Sequence, residues 1–403
     1  MTPYSDSRQL LALAFKHYQK GQVLQAQQLC QQIIKQQPPQ VDALNLLGII
    51  DCQLGQLEQG IAYLQQAIAH QPNFSDAHFN LGNALQQQGK LAEAITHYQQ
   101  ALAGNPDLSD IYMNLGRILK QESRFEEAIA VYQKLIAFKP DIPGAYLNLG
   151  LALQGQGRFQ EAILAYNHVL ELEPDSDKAY NNLGLTFKDQ GKLEEAIGLF
   201  NRAIELNPQD TGACLNRATT LLLSGDFCRG FAEYESRWQH FESLGAKRYP
   251  FSQPLWDGKN LNGQIILLHS EQGFGDAIQF VRYASLVQQR GGRVIVGCRA
   301  SLLRLFSTVS GIDRPVAMGG RMPEFQIHAP LMSLPHLLGT TLETVPAQVP
   351  YLSAPQSHLK LETVPEGTRK VGIVWAAGEV GGKDKLRSIQ TKRSCALTEF
   401  VKL

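Results

Sequence analysis

The chain has 403 residues with 37 basic and 37 acidic side chains, so its formal net charge is zero. At about 150 residues per domain this length predicts two or three domains, and 44% apolar with 18% charged residues excludes a wholly disordered chain. No apolar run approaches the roughly 18 residues of a membrane span, and the N-terminal stretch lacks the basic leader and apolar core of a signal peptide. A cytoplasmic protein without a membrane span is therefore expected. The six cysteines (Cys30, Cys52, Cys214, Cys228, Cys298, Cys395) are scattered with no CxxC pair. A reduced chain fits that better than a disulfide framework or a zinc site, and no metal site is expected.

The zero net charge conceals a division. Residues 1–240 hold 25 acids and 18 bases, net −7, which leaves 12 acids and 19 bases, net +7, for residues 241–403. Two differently built parts meet near residue 240. The basic excess is spread out, with no clustered run interleaved with aromatics, so nucleic-acid binding is not expected.

From the N-terminus, proline recurs at 38, 72, 106, 140, 174 and 208, always 34 residues apart. Glycine follows the same period at 48, 82, 116, 150 and 184. A third phase holds Gly60, Ala94, Ala128, Ala162, Ala196 and Gly230, and a fourth holds Tyr98, Tyr132, Tyr166, Phe200 and Tyr234. Each unit carries two helix-period apolar patterns separated by a glycine-containing turn. Small residues such as Gly82 and Ala94 let the two helix axes approach, Tyr98 fills volume between units, and Pro106 ends the second helix. One such hairpin cannot bury its apolar face alone, so the units must stack.

These columns resemble the tetratricopeptide repeat: Leu81-Gly82, Ala94, Tyr98, Ala101 and Pro106 sit at that motif's spacing. The resemblance covers residues 7–210 as six units. A seventh at 211–244 is worn, with Ala218 in the glycine column and Glu242 in the proline phase. An α-helical superhelix over residues 7–244 is the expected fold.

A further column holds asparagine at 80, 114, 148, 182 and 216, on the first helix of each unit. Asparagine costs roughly half a kcal/mol against alanine in a helix, so five in phase suggest a shared task. The resemblance implies that first helices line the concave surface. Packed helices lie about 8–10 Å apart and an extended peptide rises about 3.3 Å per residue. Asn80, Asn114, Asn148, Asn182 and Asn216 could therefore grip a peptide or protein segment about every third residue. The array is similar in this to the O-linked N-acetylglucosamine transferases, whose ladder holds protein substrates. The alternative is an amide that bonds its neighbouring helix or faces water.

After residue 250 the texture changes to short β-rich runs. Ile265–His269 reads as a buried strand, followed by the loop EQGFGD and a helix from Ala277 to Arg290. Then come a strand at Arg293–Val296, a helix at Ser301–Val309, and strands near Pro315–Ala317 and Gln326–Ala329. Alternation of this kind implies a parallel, doubly wound, Rossmann-like sheet. Gly273 and Gly275 occupy the first βα turn, but Ile278 stands where a third glycine would complete a dinucleotide fingerprint. P-loop, GxSxG and HExxH motifs are also absent from the sequence.

The ordered strings YESRW (234–238), PLWDG (254–258), LLHSEQGFGDAIQFVRYASLVQQRGGRVIVGC (267–298), LMSLPHLLGT (331–340), PYL (350–352) and KVGIVWAAG (370–378) resemble bacterial tetratricopeptide-containing glycosyltransferases. Their catalytic part is like the ADP-heptose heptosyltransferases and has the two-lobed GT-B fold. The resemblance implies an acceptor lobe at 245–355 and the truncated start of a nucleotide-sugar lobe at 356–403. It also implies Asp276, of the Gly275-Asp276 pair, as general base. Asp is equally a preferred helix N-cap where that helix begins. Glu271, Gly273, Gly275, Gln279, Arg282 and Arg393 would line the acceptor and donor cleft, Arg282 as a phosphate contact or a solvated side chain, Glu271 as an acceptor contact or a strand-end support. His269 reads as a core histidine, Trp238 and Trp256 as docking anchors between array and sheet, and Cys214 and Cys228 as core residues.

That lobe's remaining strands, roughly 150 residues at ordinary domain size, do not follow Val371–Trp375, and the chain stops at Leu403. The expectation is a peptide-binding superhelix on a partial transferase lobe, inactive alone and without a cofactor. The alternative is a glycosyltransferase that moves a sugar from a nucleotide sugar, its donor lobe supplied separately.

Overall fold

The computed structural model describes residues 3–35, 40–243, 251–271 and 273–353. Pro38, Cys395, Arg393, the Val371–Trp375 run and the 356–403 segment lie outside the described residues.

Thirteen helices follow one another from α1 (Pro3–Gln19) and α2 (Val23–Ile34) to α13 (Thr211–Ser224). Between them lie five first-and-second helix pairs: α3 (Val41–Gln53) with α4 (Leu57–His70), α5 (Ser75–Gln87) with α6 (Leu91–Gly104), and α7 (Ser109–Gln121) with α8 (Phe125–Phe138). The remaining pairs are α9 (Pro143–Gly155) with α10 (Phe159–Leu172) and α11 (Asp177–Asp189) with α12 (Leu193–Leu206). From α3 onward, first helices begin 34 residues apart, as do second helices, so the sequence period is the structural period.

The proline column acts through the residue before it. Gln71, Asn105, Lys139, Glu173 and Asn207 each leave the helix with φ between −143° and −132° and ψ between 82° and 96°. That is the extended geometry a following proline imposes on its predecessor. Within each unit the first helix turns to the second through a residue in left-handed geometry. Gly55, Gly89, Gly157 and Gly191 have φ of 75–80°, and Ser123 takes the same role at φ 59°. Here is a sixth 34-residue column, with one serine in a conformation that favours glycine.

The glycine and tyrosine columns lock together inside each hairpin. A Cβ on Gly82 would sit 2.7 Å from Tyr98 Cε1, and one on Gly184 2.6 Å from Phe200 Cε1; Gly116 and Gly150 meet Tyr132 and Tyr166 in the same way. All four rings are fully buried. Each ring thus packs against the glycine of its own unit, within a core cluster that runs on through neighbouring units. Tyr98 donates its hydroxyl to Asn83 Oδ1 at 2.7 Å, also within the unit. Burial pushes that phenol up to about 12.

The last unit is irregular. Ala218, in the glycine column, is fully buried, and the second helix shrinks to α14 (Phe227–Tyr234), followed by α15 (Arg237–Ser243). Cys214 is half-buried, but Cys228 is exposed, which corrects its reading as a core residue.

The chain then forms a four-stranded parallel sheet: β1 (Ile265–His269), β2 (Arg293–Cys298), β3 (Arg314–Ala317) and β4 (Ile327–Pro330), in the order β3-β2-β1-β4. Every strand falls where the apolar runs predicted, within two residues. The helices do not. The run expected from Ala277 to Arg290 is α16 (Phe274–Phe280), a single 3-10 turn at Val281–Tyr283, and α17 (Ala284–Gln289). The expected Ser301–Val309 helix is a 3-10 turn and a four-residue α18 (Leu303–Phe306); α19 (Leu334–Leu337) follows β4. Trp256 is 3% exposed and packs inside this sheet's core, giving its indole N–H to the Lys259 carbonyl at 2.9 Å. It anchors the sheet domain itself, not its junction with the array.

Candidate functional site

Successive first helices touch along the array, α3 with α5, α7 with α9, and α11 with α13. The asparagine column lies on these helices, and each side chain is half-buried. Asn80 donates from Nδ2 to Asn45 Oδ1 on the preceding first helix at 3.0 Å, and Asn114 donates to Asn83 Oδ1 at 3.1 Å. Asn216 donates to Asn181 Oδ1 at 2.9 Å, while Asn148 donates to the Gly144 carbonyl at 2.9 Å. Basic neighbours reach two of the acceptor oxygens: Arg117 on Asn114 at 3.1 Å and Lys120 on Asn148 at 3.2 Å. The Asn182 amide has no partner among the described residues; its backbone carbonyl accepts from Thr186.

A primary amide offers two N–H donors and two acceptor lone pairs. Each bonded column residue spends one N–H on a neighbour, which fixes the amide plane; at least half of its capacity is left, since only Asn114 and Asn148 also accept a bond. Lys120 is also notable because burial, helped by Arg117, holds its ammonium below the ordinary lysine range.

At the N-terminal end the first helices enclose a groove of about 460 Å³. Phe15, Ile49 and Phe79 contribute its apolar surface, and Asn45 and Asn80 line it. Asn45 was not singled out from sequence: it stands one residue out of the ladder's phase, where the column holds Leu46.

In the sheet domain, Asp276 lies at the third residue of α16, and its Oδ2 accepts from the Gly273 backbone N–H at 3.1 Å. It therefore closes the helix start from inside the first turn; Gly273, not Asp276, is the N-cap. Gly275 and Gln279 are exposed. Glu271, in the loop after β1, meets Arg237 of α15: Nε to Oε2 at 3.1 Å and Nη2 to Oε1 at 3.3 Å. Arg237 is 1% exposed and also donates to Glu235 at 2.6 Å and to Ser333 Oγ at 2.7 Å. Trp238, beside it, is buried with the guanidinium carbon 4.7 Å from its ring centroid, as suits a residue at the junction.

The position of this network matters. β2 and β3 lie on one side of β1 and β4 on the other, so the strand order switches direction between β1 and β4. Ligands of doubly wound sheets bind outside the strand ends at such a switch. Here Glu271 follows β1 and Ser333 follows β4, and Arg237 from the helical part bonds both.

Arg282 is half-buried and engaged with the loop that follows α19. Its Nη1 donates to the Pro346 carbonyl at 2.9 Å and its guanidinium carbon lies 4.1 Å from the centroid of the Tyr351 ring. His269 is 4% exposed, and its Nε2 lies 3.2 Å from His328 Nδ1. Burial, with help from His328 and Arg237, lowers the His269 pKa to about 3. No group of three or more His, Cys, Asp or Glu side chains suited to a metal ion occurs among the described residues. No helix among them is long and apolar enough to cross a membrane.

Residues 52–108, 81–143 and 147–211 match the tetratricopeptide repeat family. No curated protein matches the chain. Among solved structures, the chain is similar to YrrB, described as a TPR protein with an unusual peptide-binding site, at 20% identity and TM-score 0.42 over 46% of this chain and 95% of that one. A tetratricopeptide repeat protein from Parabacteroides merdae matches at 16% identity and TM-score 0.48 over 60% of this chain and 95% of that one. MamA matches at 23% identity and TM-score 0.39 over 41% and 97%. The family match and the 34-residue recurrence of helix starts, caps and glycine–ring contacts agree. Over residues 52–211 this chain carries tetratricopeptide repeats.

Proposed function

We propose that the repeat array binds an extended polypeptide along the face formed by its first helices. The observation that carries this reading is the state of the asparagine column. Asn80, Asn114, Asn148 and Asn216 are each held by one bond from Nδ2 to a neighbour, with further hydrogen-bonding capacity uncommitted. Amides fixed in plane and half-satisfied suit a passing peptide backbone, which offers a donor and an acceptor at each residue. Replacing Asn114, Asn148 and Asn182 together with alanine tests it, using a labelled neutral peptide of about 12 residues, long enough at about 3.3 Å per residue to cross four units. Three lost hydrogen bonds at about 1 kcal/mol each weaken binding by a hundredfold or so. Unchanged affinity at unchanged helical content contradicts the proposal.

A second reading makes the sheet domain the acceptor lobe of a GT-B glycosyltransferase, with a nucleotide sugar as donor and Asp276 as general base. The ordered motifs favour it, as does the position of Gly273, Gly275 and Asp276 in the first βα turn of a parallel sheet. Against it stands the Arg237 network, which engages Glu271 at the strand switch where a ligand would sit. Calorimetry with nucleotide sugars tests whether this chain itself carries a donor site: binding tighter than about 1 mM, roughly −4 kcal/mol, supports the transferase reading, and no heat at that level contradicts a donor site on this chain.

A further inference from the structure

The peptide face does not have one character along its length. In its N-terminal part the groove between α1, α3, α5 and α7 combines the apolar surface of Phe15, Ile49 and Phe79 with the carboxylates of Asp42, Asp76, Asp107 and Asp110. All four acids are exposed, and none forms an ion pair among the described residues. Lys139, the one base among the described residues that line the groove, forms no ion pair with them. Its ammonium is turned into the wall, donating to Ser109 Oγ at 2.7 Å and to the Asp107 backbone carbonyl at 3.3 Å.

Helix electrostatics explain part of this and not the rest. Asp42, Asp76 and Asp110 stand in the first turns of α3, α5 and α7, where the helix dipole favours acids. Yet the same position in the next three units holds Gly144, Lys178 and Gly212, so the dipole does not dictate the column. Asp107 lies two residues before α7 begins, outside its first turn. Further along the same helices the polar residues turn basic, with Arg117, Lys120 and Lys188.

A second observation points into the groove. Asn45, which lines it, is 7% exposed; its Oδ1 accepts from Asn80, while its Nδ2 has no partner among the described residues. On a side chain otherwise buried and fixed by its bond from Asn80, this donor is open only on the groove side, where a ligand's carbonyl oxygen can accept from it.

We propose that this end of the face is specific for a cationic segment of a partner polypeptide, in which lysine or arginine side chains flank an apolar one. The apolar side chain lies between Phe15 and Phe79, a backbone carbonyl accepts from Asn45, and the flanking cations reach Asp42, Asp76 and Asp110. The proposal rests on the peptide-binding reading above and gives it a chemistry and a location.

The test compares two labelled peptides with one phenylalanine and otherwise glycine and serine, one carrying lysines at the flanking positions and the other glutamates. Each is titrated into the full chain and into the Asp76→Asn/Asp110→Asn variant. The lysine peptide is expected to bind at least tenfold tighter than the glutamate peptide, with an advantage that shrinks as salt rises. The Asp76→Asn/Asp110→Asn variant should lose most of that advantage while retaining glutamate-peptide affinity. Asn45→Ala should weaken both peptides by a similar factor, with the circular dichroism spectrum unchanged. Equal affinity for both peptides, or an advantage that survives the double substitution, overturns this proposal and leaves general peptide binding standing. Binding of neither peptide overturns both.

Discussion

In the array, the contact between Gly82 and the Tyr98 ring recurs at Gly116–Tyr132, Gly150–Tyr166 and Gly184–Phe200. At the junction with the sheet domain, a single guanidinium, Arg237, bonds Glu235, Glu271 and Ser333. The first region spreads its stability over equivalent local contacts, so one lost unit leaves its neighbours with their own hairpin cores. The second concentrates it in one buried charge network that has no copy among the described residues. Damage should therefore stay local in the array and be cooperative at the junction.

The largest test of that contrast is Arg237→Leu. Removing one partner of a buried ion pair leaves Glu271 uncompensated, at about 3–5 kcal/mol. Calorimetric scans should show the sheet domain melting earlier while the array's transition stays in place. A uniform downward shift of both would break the distinction.

Acid should separate the two regions as well. Buried His269, with its pKa lowered to about 3, stays neutral in the folded state, whereas the unfolded chain protonates it near its ordinary 6.5. Its stabilising contribution is complete above about pH 6.5 and falls by about 1.4 kcal/mol per pH unit toward pH 3. His328, lowered by burial, adds in the same direction. Urea midpoints of the sheet domain should drop over this window, and His269→Gln should flatten the slope. A midpoint independent of pH from 6.5 to 4 contradicts this.

Within the array, a pair of glycines provides a sharper comparison. Gly82→Ala drives a methyl to within 2.7 Å of the buried Tyr98 ring. Overpacking at about 1–3 kcal/mol exceeds the gain in helix propensity of about 1 kcal/mol. Gly198, on α12, has nothing within 4 Å of where a Cβ would lie, so Gly198→Ala should stabilise by up to about 1 kcal/mol. Chemical denaturation of both variants checks the opposite signs.

The smallest effect concerns two tyrosines of one column. Tyr98 Oη donates to Asn83, whereas the buried Tyr132 Oη has no partner among the described residues. Tyr98→Phe should cost about 1 kcal/mol and Tyr132→Phe should be neutral or stabilising by a similar amount. Equal losses from both would show that the hydroxyls are equivalently satisfied.

The array was legible because each column has a steric cause that a single residue type satisfies. Proline sets the extended residue before it, glycine admits a ring, and the 34-residue spacing repeats the test five or more times. The strands were legible from apolar runs such as Ile265–His269. Helix limits in the sheet domain were not, because the chain passes from α16 to α17 through a 3-10 turn that leaves the apolar pattern unbroken. Arg237 was also missed. The string YESRW drew notice to its tryptophan, and nothing local marks an arginine whose partners stand 34 and 96 residues further on. Asn45 escaped for the opposite reason: a residue one step out of phase does not register in a search by period. Asp276 shows a third limit, since a carboxylate at a helix start reads alike as a base, an N-cap or the third-residue partner that accepts the Gly273 amide.

The central claim, that the first-helix face holds a polypeptide, is tested most directly by photo-crosslinking a lysine-bearing peptide with a photoreactive phenylalanine analogue to the full chain and sequencing the adducts. Adducts on α1, α3, α5 and α7, near Phe15, Asn45 and Phe79, are the predicted result. Adducts confined to the second helices α4, α6 and α8, or to the sheet domain, would contradict it.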